Sequence, residues 1–312
     1  MERNVGPVRA DGYNRVKSQE GTPMQRPCQL LPHLLAIALA SMLGPAHAED
    51  DDYGERAAEE HADDSPSANI EAAEDTVRVE TRDYATLDGE PVSGYLARPR
   101  TGSGPFPAVV LIHEWWGLND NIRAMARRFA DAGYVALAVD LYEGETAERP
   151  KRARSLMEQA MARTDRLERN IEQAFYYLDV MPSTNRIGSV GWCFGGGWSL
   201  RTALMFPQEL DASVIYYGEL ETDRERLAPL DVPILGIFGS VDSVVLADTV
   251  REFGRILTEL EKPHEIHVYE GAGHAFANPS GENYDSDTAA RAWAETTAFL
   301  NRYLKEGSDA SE

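Results

Sequence analysis

Short, mainly apolar runs alternate with longer helix-like segments along most of this chain, and this alternation limits its possible folds more than any other feature. The apolar runs cover residues 108–112, 134–139, 187–190, 212–217, 234–238 and 265–269, and the helix-like segments cover 119–132, 149–179, 195–205, 246–260 and 285–304. Runs of this length fit strands buried on both faces of a parallel sheet. The sequence therefore predicts an α/β fold in which helices cover both faces of a mostly parallel central sheet.

Two further runs, at 76–84 and 92–97, precede this alternation and are separated by Asp88-Gly89. An Asp-Gly pair between two strand-like runs is typical of a tight hairpin, so we expect the sheet to start with an antiparallel pair. No linker-like change of composition interrupts the rest of the pattern. We predict one catalytic domain at residues 76–305, followed by a polar tail at 306–312.

The N-terminal region has the features of a secretory signal. An apolar stretch between residues 30 and 43 is followed by Pro-Ala-His-Ala at 45–48, and a small-residue A-x-A ending is typical of a cleavage site. We predict a signal peptide at 24–48 that is cleaved near Ala48, and an extension from a misplaced start codon at 1–23. The protein is then expected to be secreted, to the periplasm, without a stable membrane anchor. The alternative is that the apolar stretch stays as an uncleaved anchor.

Residues 49–75 contain twelve Asp or Glu residues and one Arg, a net charge of −11 out of −22 for the whole chain. Like charges repel one another and little apolar surface is present, so we predict a disordered acidic tether, with an acidic binding tail as the alternative. The overall charge also disfavours nucleic acid as a partner, because phosphate backbones attract basic proteins.

The chain has two cysteines, and Cys28 lies in the predicted signal peptide. No disulfide framework or structural zinc cluster is expected, and we predict no metal or cofactor. Cys193 lies in Gly-Trp-Cys-Phe-Gly at 191–195, between a strand-like and a helix-like segment. A nucleophile on such a sharp turn requires very small residues two positions before and after it, and Gly191 and Gly195 meet that requirement. A buried structural cysteine in a tight connection is the alternative.

A thiol nucleophile requires a base and a group that orients the base. In an architecture of this kind, these groups follow the nucleophile in the order acid, then histidine. Asp242 follows the run at 234–238, and His274 lies in a glycine-containing segment after the run at 265–269. We predict a triad of Cys193, Asp242 and His274. The alternatives are a plain turn residue for Asp242 and a surface-loop histidine for His274.

The segment His-Glu-Trp-Trp-Gly at 113–117 follows a predicted buried strand, at the position that donates a backbone N–H to an oxyanion hole. We predict that the N–H groups of Trp115 and Phe194 form this hole. Glu114 is expected to contact and gate the Cys193 thiol, or else to pair with an arginine such as Arg123.

The chain resembles the dienelactone hydrolase family of α/β hydrolases. The resemblance covers most of residues 76–303 and rests on the segments at 113–117, 140–142 (Asp-Leu-Tyr), 191–196 (Gly-Trp-Cys-Phe-Gly-Gly), 216–218 (Tyr-Tyr-Gly), 238–242 (Phe-Gly-Ser-Val-Asp) and 273–276 (Gly-His-Ala-Phe). It implies hydrolysis of a lactone or carboxylic ester through an acyl-thioester, with the triad above and with Glu114 holding the resting thiol. We also predict a substrate pocket formed by Trp116, Tyr142, Tyr217 and Phe276, with plain core packing as the alternative for tryptophans of these motifs such as Trp116.

Two departures from the family pattern concern the substrate. In the bacterial dienelactone enzymes, one arginine soon after Asp-Leu-Tyr and another just after the histidine segment hold the substrate carboxylate. Here those places are Glu143-Gly144 and Asn278-Pro279, which cannot form a bidentate carboxylate clamp. Arg149 and Arg152 are possible replacements. We therefore expect a small-molecule ester or lactone other than dienelactone.

Two other functions are alternatives to a hydrolase. The first is a non-catalytic member of the same fold that binds a small molecule or a partner, and the intact triad positions argue against it. The second is a thiol redox sensor, which would require an intermolecular partner because no second cysteine remains after signal cleavage. The sequence does not predict the oligomeric state.

Overall fold

The computed structural model describes residues 76–305, together with residue 56. The predicted extension at 1–23, the signal peptide at 24–48, the tail at 306–312 and, apart from residue 56, the acidic segment at 49–75 lie outside the described residues. Those boundaries stay predictions. No helix in the described part of the chain is long and apolar enough to cross a membrane.

The central element is an eight-stranded sheet with the strand order β1-β2-β4-β3-β5-β6-β7-β8. Its strands are β1 (Val77–Leu87), β2 (Glu90–Pro99), β3 (Phe106–Ile112), β4 (Val135–Val139), β5 (Thr184–Trp192), β6 (Ala212–Tyr216), β7 (Ile234–Gly239) and β8 (His264–Tyr269). β2 pairs antiparallel with both β1 and β4, and the remaining neighbours are parallel. The predicted mostly parallel sheet is confirmed.

The antiparallel start is also confirmed. The hairpin between β1 and β2 closes with Leu87 paired to Glu90, and Asp88 and Gly89 both have positive φ, at 55° and 89°. Two central residues with positive φ match the twist of a two-residue hairpin. The Asp-Gly signal in the sequence therefore located this turn correctly.

Seven α-helices accompany the sheet within residues 76–305. They are α1 (Asp120–Asp131), α2 (Pro150–Met161), α3 (Thr164–Asp179), α4 (Phe194–Met205), α5 (Arg224–Leu227), α6 (Ala247–Glu259) and α7 (Ser286–Leu300), and a π-helical turn (Asn301–Lys305) follows α7. The prediction of a single helix-like segment at 149–179 is wrong in one respect, because these residues form two helices. Arg163 leaves the helical conformation at φ −125° and ψ 45°, and neither Gly nor Pro marks this break in the sequence.

Contacts of β6 show that helices cover both faces of the sheet. The Ser213 hydroxyl lies 3.0 Å from that of Ser199 on α4, and the Tyr216 hydroxyl lies 2.6 Å from that of Thr296 on α7. Because side chains alternate along a strand, residues three positions apart point to opposite faces. The helices α4 and α7 therefore lie on opposite faces of the sheet. The candidate site lies at the ends of strands between these two helices.

Candidate active site

Cys193 lies on a strained turn between β5 and α4. Its backbone has φ 53° and ψ −120°, a region that non-glycine residues rarely adopt and that tends to occur at functional sites. A Cβ atom on Gly191 would lie 1.8 Å from the Gly195 carbonyl oxygen, and one on Gly195 would lie 2.2 Å from the Ile112 carbonyl oxygen. The backbone approaches itself so closely that only glycine fits at both positions, as the sequence predicted.

The thiol is also placed at the start of a helix. α4 begins at Phe194, directly after Cys193, and the Cys193 N–H donates to the Tyr216 carbonyl at 3.0 Å. The side chain is buried, with 2% of its surface exposed. Positive partial charge at a helix N-terminus favours an anion, so this position favours the thiolate over the thiol.

Asp242 and His274 are brought together by the loops that follow β7 and β8. His274 Nδ1 lies 2.9 Å from Asp242 Oδ2, and both side chains are fully enclosed. The other carboxylate oxygen, Oδ1, accepts from the N–H groups of Val244 and Val245 at 2.8 Å each. These contacts leave the Asp242 carboxylate one orientation, with Oδ2 directed at the imidazole.

The charge state of His274 depends on its two neighbours. Burial of the imidazole lowers its pKa, but the charges of Asp242 and Cys193 and hydrogen bonds to both side chains raise it, and the net result is a pKa well above 6.5. His274 is therefore in electrostatic contact with the thiol as well as with the carboxylate. A protonated imidazole beside a sulfur stabilises the thiolate.

The segment after β3 lies against the start of α4. The 2.2 Å distance from the Gly195 Cβ position to the Ile112 carbonyl shows that the two backbones touch. Phe194 directly precedes Gly195, and Trp115 lies three residues after Ile112; both were predicted to donate to an oxyanion. The structure thus places the two predicted donor residues on neighbouring stretches of backbone.

His113 holds this segment in place, a role that the sequence analysis missed. Its Nε2 accepts from the Leu141 N–H at 3.1 Å, so Nδ1 carries the proton and donates to the Glu114 carbonyl at 2.5 Å. Burial lowers the pKa of His113, against an opposing effect of the Asp140 charge. The neutral ring links the loop after β3 to the loop after β4. In the sequence, the position of His113 in the motif at 113–117 was the signal that could have predicted this role.

Glu114 is nearly buried, with 4% of its surface exposed, and its Oε2 accepts a hydrogen bond from Asn278 Nδ2 at 2.8 Å. Asn278 is oriented in turn, because its Oδ1 accepts from Asn121 Nδ2 at 2.9 Å. A neutral amide therefore contacts this carboxylate. The guanidinium of Arg123, the alternative partner, lies over the Tyr95 ring at 5.7 Å from its centroid.

Two of the predicted pocket residues, Tyr142 and Tyr217, lie beside the thiol. Burial raises the pKa of each phenol well above 10, and the charge of Cys193 raises both further, with that of Glu114 also acting on Tyr217. Both hydroxyl groups are buried and, among the described residues, neither has a hydrogen-bond partner. An unpaired buried hydroxyl carries a desolvation cost, which a bound ligand can offset.

The other two predicted pocket residues, Trp116 and Phe276, are fully enclosed. The Trp116 ring packs against Trp115 with the centroids 5.2 Å apart, and the Phe276 ring packs against Tyr217 at 5.5 Å. Both therefore pack against other aromatic residues of the candidate site. The sequence did not distinguish this packing role from direct lining of a pocket.

The residues at the positions of the family's carboxylate clamp contact other side chains of this chain. Glu143 Oε1 accepts from Arg166 Nε at 2.6 Å and from Arg163 at 3.2 Å. Arg152 forms an ion pair with Glu145, and both Arg149 and Arg152 are exposed. Neither arginine replaces the clamp in this arrangement.

A cavity of about 160 Å³ lies between α1 and α7 and reaches the site. Its lining includes Glu114, Tyr217 and Asn278, and also Trp293, whose ring centroid lies 4.0 Å from the Arg128 guanidinium. Within the described residues, no group of three His, Cys, Asp or Glu side chains is arranged to hold a metal ion.

Comparisons with known proteins agree with this geometry. The model of the dienelactone hydrolase family matches residues 92–304. "Protein usf" of Aquifex pyrophilus is 35% identical over 70% of this chain and 96% of its own length. "Probable 2-oxo-3-(5-oxofuran-2-ylidene)propanoate lactonase" of Bradyrhizobium is 31% identical over 74% and 97%. The crystal structure titled "Putative Dienelactone Hydrolase" from Klebsiella pneumoniae superimposes with a TM-score of 0.65 at 25% identity, covering 73% of this chain and 99% of that one.

Proposed function

The chain belongs to the dienelactone hydrolase family, and on that premise we propose that it hydrolyses a small lactone or carboxylic ester with Cys193 as the nucleophile. The single observation that carries the proposal is Cys193 at φ 53° at the start of α4, in contact with the buried His274–Asp242 pair. This arrangement has the geometry of an activated nucleophile, its base and the group that orients the base.

The reaction has two halves. His274 accepts the thiol proton, and the thiolate attacks the carbonyl carbon while the N–H groups of Trp115 and Phe194 bind the oxyanion. The C–O bond then breaks, the alkoxide takes the proton from His274, and the acyl group remains on sulfur as a thioester. His274 next removes a proton from water, which attacks the thioester and releases the acid and the thiolate.

The substrate is proposed to be neutral near the reacting group. Support comes from Glu143, which is bound to two arginines, and from Asn278, whose amide is bound to Glu114. Neither position offers a cation to a substrate carboxylate. The unpaired hydroxyls of Tyr142 and Tyr217 offer neutral donors instead. A cavity of about 160 Å³ is below the range of roughly 300–1,000 Å³ typical of ligand pockets, which favours a small substrate.

Glu114 is proposed to restrain the thiol until substrate enters. The carboxylate and the sulfur both act on the Tyr217 phenol, which indicates that they share one small enclosed region. A carboxylate beside a sulfur opposes the thiolate through like-charge repulsion. The hydrogen bond from Asn278 gives Glu114 a stable neutral partner on the side of the cavity.

The test is hydrolysis of a panel of activated esters and lactones by wild type, Cys193→Ala and Cys193→Ser. We expect wild type to turn over neutral substrates, Cys193→Ala to lose activity by about a thousandfold or more, and rapid quenching to trap an acyl adduct on Cys193 by mass spectrometry. Equal turnover by folded wild type and Cys193→Ala would rule out the cysteine mechanism. Stoichiometric ligand binding without turnover would instead support a binding function.

A further inference from the structure

A groove far along the sheet from Cys193 is lined mainly by arginines. It lies where β1, β2 and α1 meet, has a volume of about 650 Å³, and shares no lining residue with the candidate active site. Its charged lining residues are four arginines and one glutamate, a net charge of +3: Arg78, Glu80, Arg98, Arg100 and Arg127. This local charge stands out in a chain whose net charge is −22.

Among the described residues, the contacts that hold three of these arginines do not neutralise their charge. Arg100 donates to the Val77 carbonyl at 3.1 Å, and Arg127 donates to the Tyr95 hydroxyl at 3.0 Å, so both have neutral acceptors. Arg78 is exposed. Only Arg98 contacts the lining carboxylate, Glu80, at 3.2 Å. Half-exposed guanidinium groups in this arrangement can bind several carboxylates at once.

The most acidic segment of the chain, residues 49–75, directly precedes the described residues that line this groove. Residues 49–75 carry a net charge of −11 and end one residue before Thr76. The Arg100 N–H donates to the Thr76 carbonyl at 2.9 Å, and Val77 and Arg78 line the groove. Because no linker separates the segment from the groove, its effective concentration there is of the order of millimolar. Any separate anionic ligand must compete with it.

We propose that residues 49–75 bind the arginine groove of the same chain, with their carboxylates against Arg78, Arg98, Arg100 and Arg127. Each exposed ion pair contributes little alone, so binding depends on several pairs together and weakens with salt. The interaction does not depend on the proposed hydrolase activity.

The test is the rate at which a glutamate-specific protease cleaves the purified full chain within residues 49–75 at low ionic strength. One variant carries Arg→Gln at all four arginines of the groove, and a second carries Arg→Lys there. A matched control carries the same charge change outside the groove, through Arg→Gln at Arg154, Arg224, Arg251 and Arg255. A third variant changes Asp50, Asp51, Asp52, Asp63, Asp64 and Asp75 to Asn, which leaves every cleavage site and the folded domain unaltered.

We expect cleavage at least fivefold faster in the groove Arg→Gln variant and in the Asp→Asn variant. The Lys variant and the matched control should resemble wild type, and 0.5 M salt should bring wild type to the fast rate. Equal rates in wild type and the Asp→Asn variant would overturn the proposal even if the groove variant failed to fold. If the protection from cleavage decreases on dilution, the groove binds the acidic segment of a second copy of the chain, and the proposal is overturned. Equal rates together with heparin binding that needs the groove arginines would point to an external polyanion instead.

Discussion

The protonation of His274 depends mainly on one neighbouring residue, Asp242. The pKa of His274 lies well above 6.5 because the carboxylate and the sulfur outweigh the effect of burial. A raised pKa means that protonated His274 contributes stability fully below pH 6.5, and that this contribution is lost as the pH rises through the pKa of the folded state. The charge of Cys193 is one cause of the raised pKa, so this contribution belongs to the state in which the thiol proton has moved to His274.

We predict that Asp242→Asn lowers the pKa of His274, because the substitution removes an opposite charge beside the imidazole. Titration of ¹³C-labelled histidine by NMR measures this directly. Glu168→Gln serves as the control, because Glu168 pairs with Arg201 elsewhere in the fold. An unchanged His274 titration in Asp242→Asn would contradict the assignment of Asp242 as the orienting acid.

The proposed gating role of Glu114 gives a second prediction for a single residue. Glu114→Gln should raise the rate at which iodoacetamide alkylates Cys193 at pH 7 by about tenfold, because a like charge beside a thiolate costs about 1.4 kcal/mol. The matched control is Glu143→Gln, since Glu143 binds Arg163 and Arg166. Alkylation at the wild-type rate in Glu114→Gln would leave Glu114 without a gating role.

At the level of elements, the site depends on how closely α4 approaches the ends of β5 and β3. Gly191→Ala and Gly195→Ala place a methyl group 1.8 Å and 2.2 Å from a carbonyl oxygen. We predict that each lowers the free energy of unfolding by about 3 kcal/mol and abolishes hydrolysis, because neither backbone can move without displacing Cys193.

Gly197→Ala is the control for both variants. Gly197 lies on the same helix, and its added methyl group would lie 3.2 Å from a side-chain carbon of Glu219, which needs only a small shift. We expect a change in stability within about 1 kcal/mol and retained turnover. Chemical denaturation and the ester panel measure both effects. Equal losses in all three variants would show that α4 is sensitive to any added volume.

For the whole molecule, the sequence predicts export and processing. The apolar stretch and the A-x-A ending at residue 48 predict that the mature protein begins at Glu49. Intact-mass measurement of the protein from the periplasmic fraction of its own cells tests this. A mass that includes residues 24–48, or recovery with the membrane, would favour an uncleaved anchor.

The sequence by itself determined the class of fold, and it predicted a candidate triad. Period-two and period-3.6 patterns are local, so alternating apolar runs identified the mostly parallel sheet, and Asp88-Gly89 identified the hairpin. Local backbone strain also has a local signature, which is why Gly191, Cys193 and Gly195 could be recognised together. Asp242 and His274 followed from their positions at the ends of successive strands.

Only the tertiary structure decided which side chains meet. The break at Arg163 has no Gly or Pro signal, and Asn278 contacts Glu114 across 164 positions of sequence. The unpaired hydroxyls of Tyr142 and Tyr217 and the packing of Trp116 and Phe276 likewise depend on loops that converge from different strands. The arginine groove depends on how β1, β2 and α1 pack together. Sequence patterns report the local backbone and burial, whereas contacts between distant loops depend on how the whole sheet twists and brings its strand ends together.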